Sequence, residues 1–129
     1  MILLTNGTSQ TVDVGGVVTY DATAIRTGCG ECHRNGSGAV TMRACGTYEI
    51  AFSGNLGGVA AGDASLAVML DGEPIGVMDV VTATAGDLQS VSYVTAVRNC
   101  CDGSRVTVAN NGAAAVTVAD PSLLVHRLG

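Results

Sequence analysis

The alternation of apolar and polar residues along the chain predicts β-strands. Residues 44–53 show it most clearly, because the large side chains of Tyr48, Ile50 and Phe52 alternate with small or polar ones. These residues include two of the chain's four aromatic rings, and a ring buries more area than the Ala and Val found elsewhere. We therefore expect this strand to lie at the centre of the hydrophobic core.

Similar alternation continues along the chain, interrupted by Gly, Asn and Asp, and no segment repeats at the helical period. Asp71-Gly72 is typical of a two-residue hairpin turn, and Asn111-Gly112 indicates a second hairpin. About eight to ten strands without a helix indicate an all-β sandwich or barrel. The predicted strands cover residues 1–4, 17–27, 40–43, 44–55, 65–70, 75–81, 88–97, 105–109, 114–119 and 122–128.

The composition supports strands and self-association. Hydrophobic residues make up 47% of the chain, most of them Val and Ala, whereas only 13% of the residues are charged. β-branched side chains suit a pleated surface better than a helix. A chain of 129 residues forms one core of ordinary size, and part of so apolar a surface is expected to be covered by partner subunits. We expect an oligomer of single-domain chains.

The charge balance argues against nucleic acid and membranes as partners. The net charge is −5, from eleven acidic side chains and six arginines, with no lysine. A nucleic-acid-binding face needs clustered basic residues, but the arginines are spaced singly along the sequence. No apolar run is long enough to cross a bilayer, and the first residues lack the pattern of an export signal. The arginines are Arg26, Arg34, Arg43, Arg98, Arg105 and Arg127.

A Gly-rich stretch, residues 27–39, is expected to be a surface loop and carries the most reactive residues of the chain. Cys29, Cys32 and His33 fit the C-x-x-C-H pattern of covalent haem attachment. A c-type haem also needs an export signal, a second axial ligand and a bulky apolar pocket. The sequence shows none of these, so we expect no haem.

The cysteines leave two further alternatives. Zinc would need four ligands, drawn from Cys29 and Cys32 together with His33, Cys45 or the Cys100-Cys101 pair, but a second C-x-x-C is missing. The other alternative needs no metal: one or two disulfides within the set formed by Cys29, Cys32, Cys100 and Cys101, which are favoured over zinc, or otherwise reduced thiols. Because the chain has five cysteines, at least one thiol stays unpaired within a subunit.

Nothing in the sequence predicts catalysis. His33 and His126 are the only histidines, and neither lies near a Ser or Cys with an acidic partner that would orient it. The acidic residues fall mostly at turns, where they usually accept backbone hydrogen bonds. We therefore expect a protein that is not an enzyme and that has no cofactor.

Three stretches, residues 45–50, 66–75 and 122–128, resemble the tumour necrosis factor-like jelly roll, which is also the fold of the complement globular head. The chain looks closer still to small head-fibre or capsid-decoration proteins of tailed phages. The resemblance runs from about residue 17 to the end. It implies a non-enzymatic homotrimer of jelly rolls, each of about ten antiparallel strands, around a threefold axis.

The resemblance and the residues together divide the chain into an arm, residues 1–16, and a jelly-roll domain, residues 17–129. In the arm, Ile2, Leu3 and Leu4 are expected to dock onto the shell protein that carries the knob. Within the last strand, Leu124, His126 and Leu128 point away from the core side. We expect these three residues to lie at the trimer interface.

The resulting expectation is a trimeric knob on the surface of a virion, mounted on the major capsid protein or another shell protein. A host-surface or carbohydrate-binding module of the same fold is the alternative. A glycan site usually presents exposed aromatic rings, whereas here the rings fall within predicted strands. This favours the structural role.

Overall fold

The computed structural model describes residues 1–27, 37–99 and 103–128, and residues 31–32 by their backbone alone. Within these residues the chain forms eleven strands and no helix, and therefore no helix long and apolar enough to span a membrane. The strands are β1 (Ile2–Thr5), β2 (Gln10–Val12), β3 (Ala22–Arg26), β4 (Glu31–Cys32), β5 (Val40–Met42), β6 (Gly46–Gly58), β7 (Gly62–Leu70), β8 (Glu73–Thr82), β9 (Gln89–Asn99), β10 (Ser104–Asn110) and β11 (Val116–Arg127).

Two antiparallel sheets contain all the described strands. The six-stranded sheet has the order β3-β1-β11-β6-β9, with β2 also paired to β11, and the five-stranded sheet has the order β4-β5-β10-β7-β8. From β5 onward, most connections cross from one sheet to the other. The connection from β7 to β8 is the exception, because these two strands are neighbours in the same sheet. This arrangement is a jelly-roll sandwich, which confirms the predicted fold class.

The core lies between the two sheets and is centred on β6, as predicted. Tyr48 and Ile50 are fully buried and Phe52 is 1% exposed. β6 pairs with β11 on one side and with β9 on the other. From the opposite sheet, Leu66 and Val68 of β7 pack into the same cluster. Alternation within each strand therefore fills the interior from both sides.

The N-terminal segment belongs to the sheet, which corrects the expectation of a separate arm. β1 lies between β3 and β11 and pairs with both. Ile2 and Leu4 are fully buried in the core, so they are not available to a shell protein, whereas Leu3 lies on the outer face. A run of consecutive apolar residues hides this alternation, because such a run looks the same on both faces.

The hairpin at Asp71-Gly72 is confirmed. Asp71 has φ 52° and Gly72 has φ 84°, as expected when both central residues of a two-residue turn need positive φ. By contrast, Asn111-Gly112 is not a hairpin, because β10 and β11 belong to different sheets. The side chain of Asn110 is buried there, and its Nδ2 donates to the carbonyl oxygens of Val12 at 3.0 Å and Ala114 at 2.9 Å.

Two other strand predictions also change. Pro121 does not separate two strands, because β11 continues through a bulge between Ala119 and Ser122 at which Asp120 takes φ 50°. Of the predicted strand 17–27, β3 forms, while Val17 makes a single bridge to Ala109. A bulge absorbs the extra residue and lets the strand keep its alternation on both sides of Pro121.

Candidate interface on the six-stranded sheet

The outer face of the six-stranded sheet carries an unbroken row of apolar side chains. Leu3 of β1 lies opposite Ile25 of β3 and opposite Leu124 of β11. Leu124 in turn lies opposite Ala51 of β6, and Ala51 lies opposite Val94 of β9. We call these five residues the apolar row. It crosses five neighbouring strands, a width of about 19 Å at the usual strand spacing.

The apolar row is open to solvent in the single chain, most of all at its two ends. Val94 is 64% exposed and Ile25 is 42% exposed, while Leu3, Leu124 and Ala51 are half-buried by their neighbours. Scattered exposed apolar residues are normal, but a contiguous set across a sheet is typical of an interaction surface.

Small polar side chains border the apolar row on one side. Ser122 of β11 lies opposite Ser53 of β6, and Ser53 lies opposite Ser92 of β9. On the other side, His126 lies opposite Glu49, and Glu49 lies opposite Ala96. The middle of the face therefore carries no charge, which lowers the desolvation cost of covering it.

The three residues predicted for the trimer interface lie where the alternation of β11 puts them. Leu124 and His126 are half-buried on the outer face, and Leu128, just beyond β11, is 54% exposed. The backbone N–H of Leu128 donates to Thr47 O at 2.7 Å, which continues the pairing with β6. Their role in a trimer remains a prediction.

Three members of the apolar row were not predicted. Ala51 and Val94 alternate with the core residues of their strands, so the period of two identifies their face. The register that aligns them with Leu124 depends on pairing between distant strands, which one sequence does not show. Ile25 follows a bulge between Leu3 and Leu4, which shifts its register.

The cysteine predictions fall mostly outside the described residues. Cys29, Cys100 and Cys101 lie there, as does the side chain of Cys32, so their pairing stays a prediction. Cys45 is disulfide-bonded. Sequence reasoning had considered it only as a zinc ligand, and a bonded sulfur is not available for that role.

No metal centre or stacking platform for a sugar is formed by the described side chains. Within them, no three His, Cys, Asp or Glu groups come together. Tyr20, Tyr48 and Phe52 are buried, and burial raises the pKa of the Tyr20 phenol above its ordinary value. Tyr93 is half-buried, and its hydroxyl donates to Ile75 O at 3.1 Å.

A cleft of about 570 Å³ lies beside the five-stranded sheet. Its lining includes Arg105 and Thr107 of β10, together with Asp71 and Val17. No aromatic ring is among its described lining residues. This cleft lacks the ring on which a sugar usually stacks.

The sandwich is similar to several solved structures, although no family model and no curated protein matches the chain. The globular domain of zebrafish complement 1qA aligns with a TM-score of 0.69 at 13% identity, covering 98% of this chain and 97% of that one. Murine APRIL, crystallised at pH 5.0, aligns with a TM-score of 0.73 at 14% identity, covering 97% and 98%.

A viral protein shows the same likeness. The PRD1 vertex protein P5 aligns with a TM-score of 0.59 at 14% identity, covering 99% of this chain and 96% of that one. At such identities the likeness establishes the fold and leaves function open. The chain therefore has the jelly-roll fold of complement 1q and tumour necrosis factor-like proteins, and it shares that fold with a viral vertex protein.

Proposed function

We propose that the chain is a non-enzymatic structural protein that forms a homotrimeric knob on a larger assembly, a phage capsid. The apolar row on the outer face of the six-stranded sheet is the observation that carries this proposal. Val94 and Ile25 are exposed, and covering them with another surface lowers the free energy. Additional copies of this chain are the simplest cover, and the resemblance to trimeric jelly rolls supports that number of copies.

The distribution of charged and polar side chains on the face also favours self-association. The uncharged centre lets two copies approach without burying an unpaired ion. Serines on one border and Glu49 with His126 on the other provide the polar rim that interfaces usually have around an apolar centre. In this trimer Leu124 packs near the middle of the contact, and Leu128 and His126 lie toward its edge.

Light scattering coupled to size exclusion tests the trimer. The wild-type chain should have three times the 12.9 kDa mass of one chain. Leu124→Glu should be monomeric with an unchanged β circular dichroism spectrum, because a charge at the centre of the contact must be desolvated without a partner. Val94→Glu, at the most exposed position of the row, should act in the same way without disturbing the core.

Val14→Glu is the matched control. Val14 is 56% exposed but lies in the loop after β2, away from the apolar row. This variant introduces the same charge and should remain trimeric. A monomeric wild-type chain, or dissociation of the Val14 variant to the same extent, would contradict the proposed interface.

The position on a capsid has a separate test. The fold shared with the PRD1 vertex protein P5 supports it, and a shell protein such as the major capsid protein is the proposed partner. Antibodies against the purified trimer should label virions of the phage that encodes the chain. In electron micrographs the label should lie at regularly spaced positions on the particles. Label on cells and none on particles would favour the host-adhesion alternative.

A further inference from the structure

The structure gathers at one end of the sandwich arginines that are far apart in the sequence. Arg26 is the last residue of β3, Arg127 is the last residue of β11, and Arg98 is the next-to-last residue of β9. All three are exposed. Because β9 and β11 both pair antiparallel with β6, their last residues lie beside its first ones: Arg98 is opposite Thr47, and Arg127 is opposite Tyr48.

Two more arginines come from the five-stranded sheet at the same end. Arg43 follows β5, and Arg105 is the second residue of β10. The side chain of Asn99, at the end of β9, donates to the carbonyl oxygens of Met42 and Ala44, each at 2.9 Å. These bonds tie the two sheets together here. We call this end of the sandwich, with its five arginines, the arginine end.

The opposite end is acidic. Asp13 follows β2, Asp63 lies at the start of β7, and Asp87 lies between β8 and β9. All three are exposed, and the strand pairing places them at the ends of the strands opposite to the arginine end. The net charge of −5 therefore hides a separation of charge along the length of the sandwich. Such a field orients the molecule when it approaches a charged surface.

The arginine side chains differ in the partners that they have among the described residues. Within the described part of the chain, the guanidinium groups of Arg43, Arg98 and Arg105 make no hydrogen bond or ion pair. Arg127 is different, because its Nε donates to Cys45 O at 2.9 Å. A guanidinium group binds a carboxylate through two parallel N–H donors, so exposed arginines at one end of the sandwich suit an acidic surface.

Two acidic residues interspersed with the arginines decide between partner classes. Asp71 and Glu73, in the β7–β8 hairpin, are exposed at the arginine end. Asp71 Oδ1 accepts the backbone N–H of Arg105 at 2.9 Å, which holds its carboxylate there. A continuous polyphosphate such as DNA would be repelled by these carboxylates. A flexible protein chain carries one carboxylate per residue, about 3.5 Å apart when extended, and can bend so that its carboxylates reach the arginines and avoid Asp71 and Glu73.

We propose that the arginine end is a docking surface for an acidic protein surface, so that the acidic end points outward. The inference deepens the proposed function and rests on it for the identity of that surface as a capsid shell. Two of the arginines belong to the other sheet, and Arg98 and Arg127 lie at least three residues beyond the apolar row along their strands. Self-association and docking can therefore occur at the same time.

Fluorescence anisotropy with labelled poly-L-glutamate tests this surface. Labelled duplex DNA of similar total charge is the comparison ligand, because its charges are phosphates. The wild-type chain should bind polyglutamate more tightly than DNA at low ionic strength, and binding should weaken as added salt shortens the screening length. The triple variant Arg43→Gln, Arg98→Gln, Arg105→Gln should bind polyglutamate about tenfold more weakly, since exposed ion pairs are individually weak.

A charge-matched variant separates location from net charge. Ser9→Glu, Ala61→Glu and Ala113→Glu change the net charge by the same amount, at exposed positions toward the acidic end. This variant should retain most of the wild-type affinity. An equal loss in both triple variants, or tighter binding to DNA than to polyglutamate, would overturn the inference.

Light scattering on the same samples keeps the two proposals apart. If the wild-type chain is monomeric and only the arginine variant loses affinity for polyglutamate, the trimer is contradicted and the docking surface stands. A trimer that binds no polyglutamate at any ionic strength tested would overturn the docking surface alone.

Discussion

Buried polar side chains connect segments of this fold that no backbone ladder joins. Asn110 is 3% exposed, and besides its two donated bonds, its Oδ1 accepts the N–H of Gly112 at 2.9 Å. One amide group therefore fixes β2, the end of β10 and the crossover to β11. The sequence led to a different interpretation, because an Asn-Gly pair after a strand is typical of a hairpin.

Asn110→Ala should lower the free energy of unfolding by about 2–3 kcal/mol, because several buried backbone groups lose their partner. Urea denaturation followed by circular dichroism measures the change. Asn111→Ala is the control, since Asn111 is exposed and its contact is a backbone one, from its N–H to Ser65 O at 3.1 Å. Similar losses in both variants would contradict this role for Asn110.

Tyr20 should make the fold sensitive to alkali. Its phenol is completely buried, and burial raises its pKa above the ordinary value. The unfolded chain releases this proton near pH 10 while the folded chain keeps it, so the contribution of Tyr20 to stability is constant below that pH and falls above it. The added slope is about 1.4 kcal/mol per pH unit.

Urea denaturation at a series of pH values from neutral to about 11 measures that slope. The unfolding free energy of Tyr20→Phe should decline less steeply above pH 10, because the variant has no phenol at this position. The difference in slope should correspond to one proton. Equal slopes for the two proteins would show that Tyr20 is not the group that titrates.

Among the secondary-structure elements, those fixed by neighbouring residues were the predictable ones. Gly72 sits in the β7–β8 turn, where local residue types select the turn, and the structure has the predicted hairpin. β11 was split at Pro121 because a proline usually ends a strand, whereas a bulge keeps the strand continuous. A bulge depends on the partner strand, which lies far away in the sequence.

Gly72→Ala should destabilise the domain by about 1 kcal/mol, because an L-residue resists positive φ. A Cβ at Gly72, which has φ 84°, would meet nothing within 4 Å, so the cost comes from the backbone alone. Gly7→Ala is the matched control, because the space at Gly7 is equally open and its φ is not positive. It should change stability by less than about half a kcal/mol, and thermal unfolding of both variants would show the difference.

At the scale of the whole molecule, the sequence predicted the faces of strands better than their neighbours. Leu124 and His126 alternate with the buried residues of β11, as the pattern of the sequence predicted. The apolar row and the arginine end were not predicted as surfaces, because both depend on which strands pair and in which direction. Arg26 and Arg127 are far apart in the sequence and lie at the same end of the molecule only after the sheet has formed.

Self-association should also make stability depend on concentration. A folded trimer is favoured by mass action, so the Tm of the wild-type chain should rise as the protein concentration is raised. Val94→Glu should unfold at a Tm that does not change with concentration, because the monomer has no partner to lose. Calorimetry over a wide concentration range tests this, and a constant Tm for the wild type would contradict it.

The pairing of β1 with β11 has a consequence for synthesis. β1 pairs with β11, which is more than a hundred residues further along the sequence, so Ile2 stays without its cover until β11 has been synthesised. Contacts between such distant residues form slowly, and the nascent chain meanwhile presents unpaired strands. Folding of the six-stranded sheet should therefore wait until β11 has been synthesised.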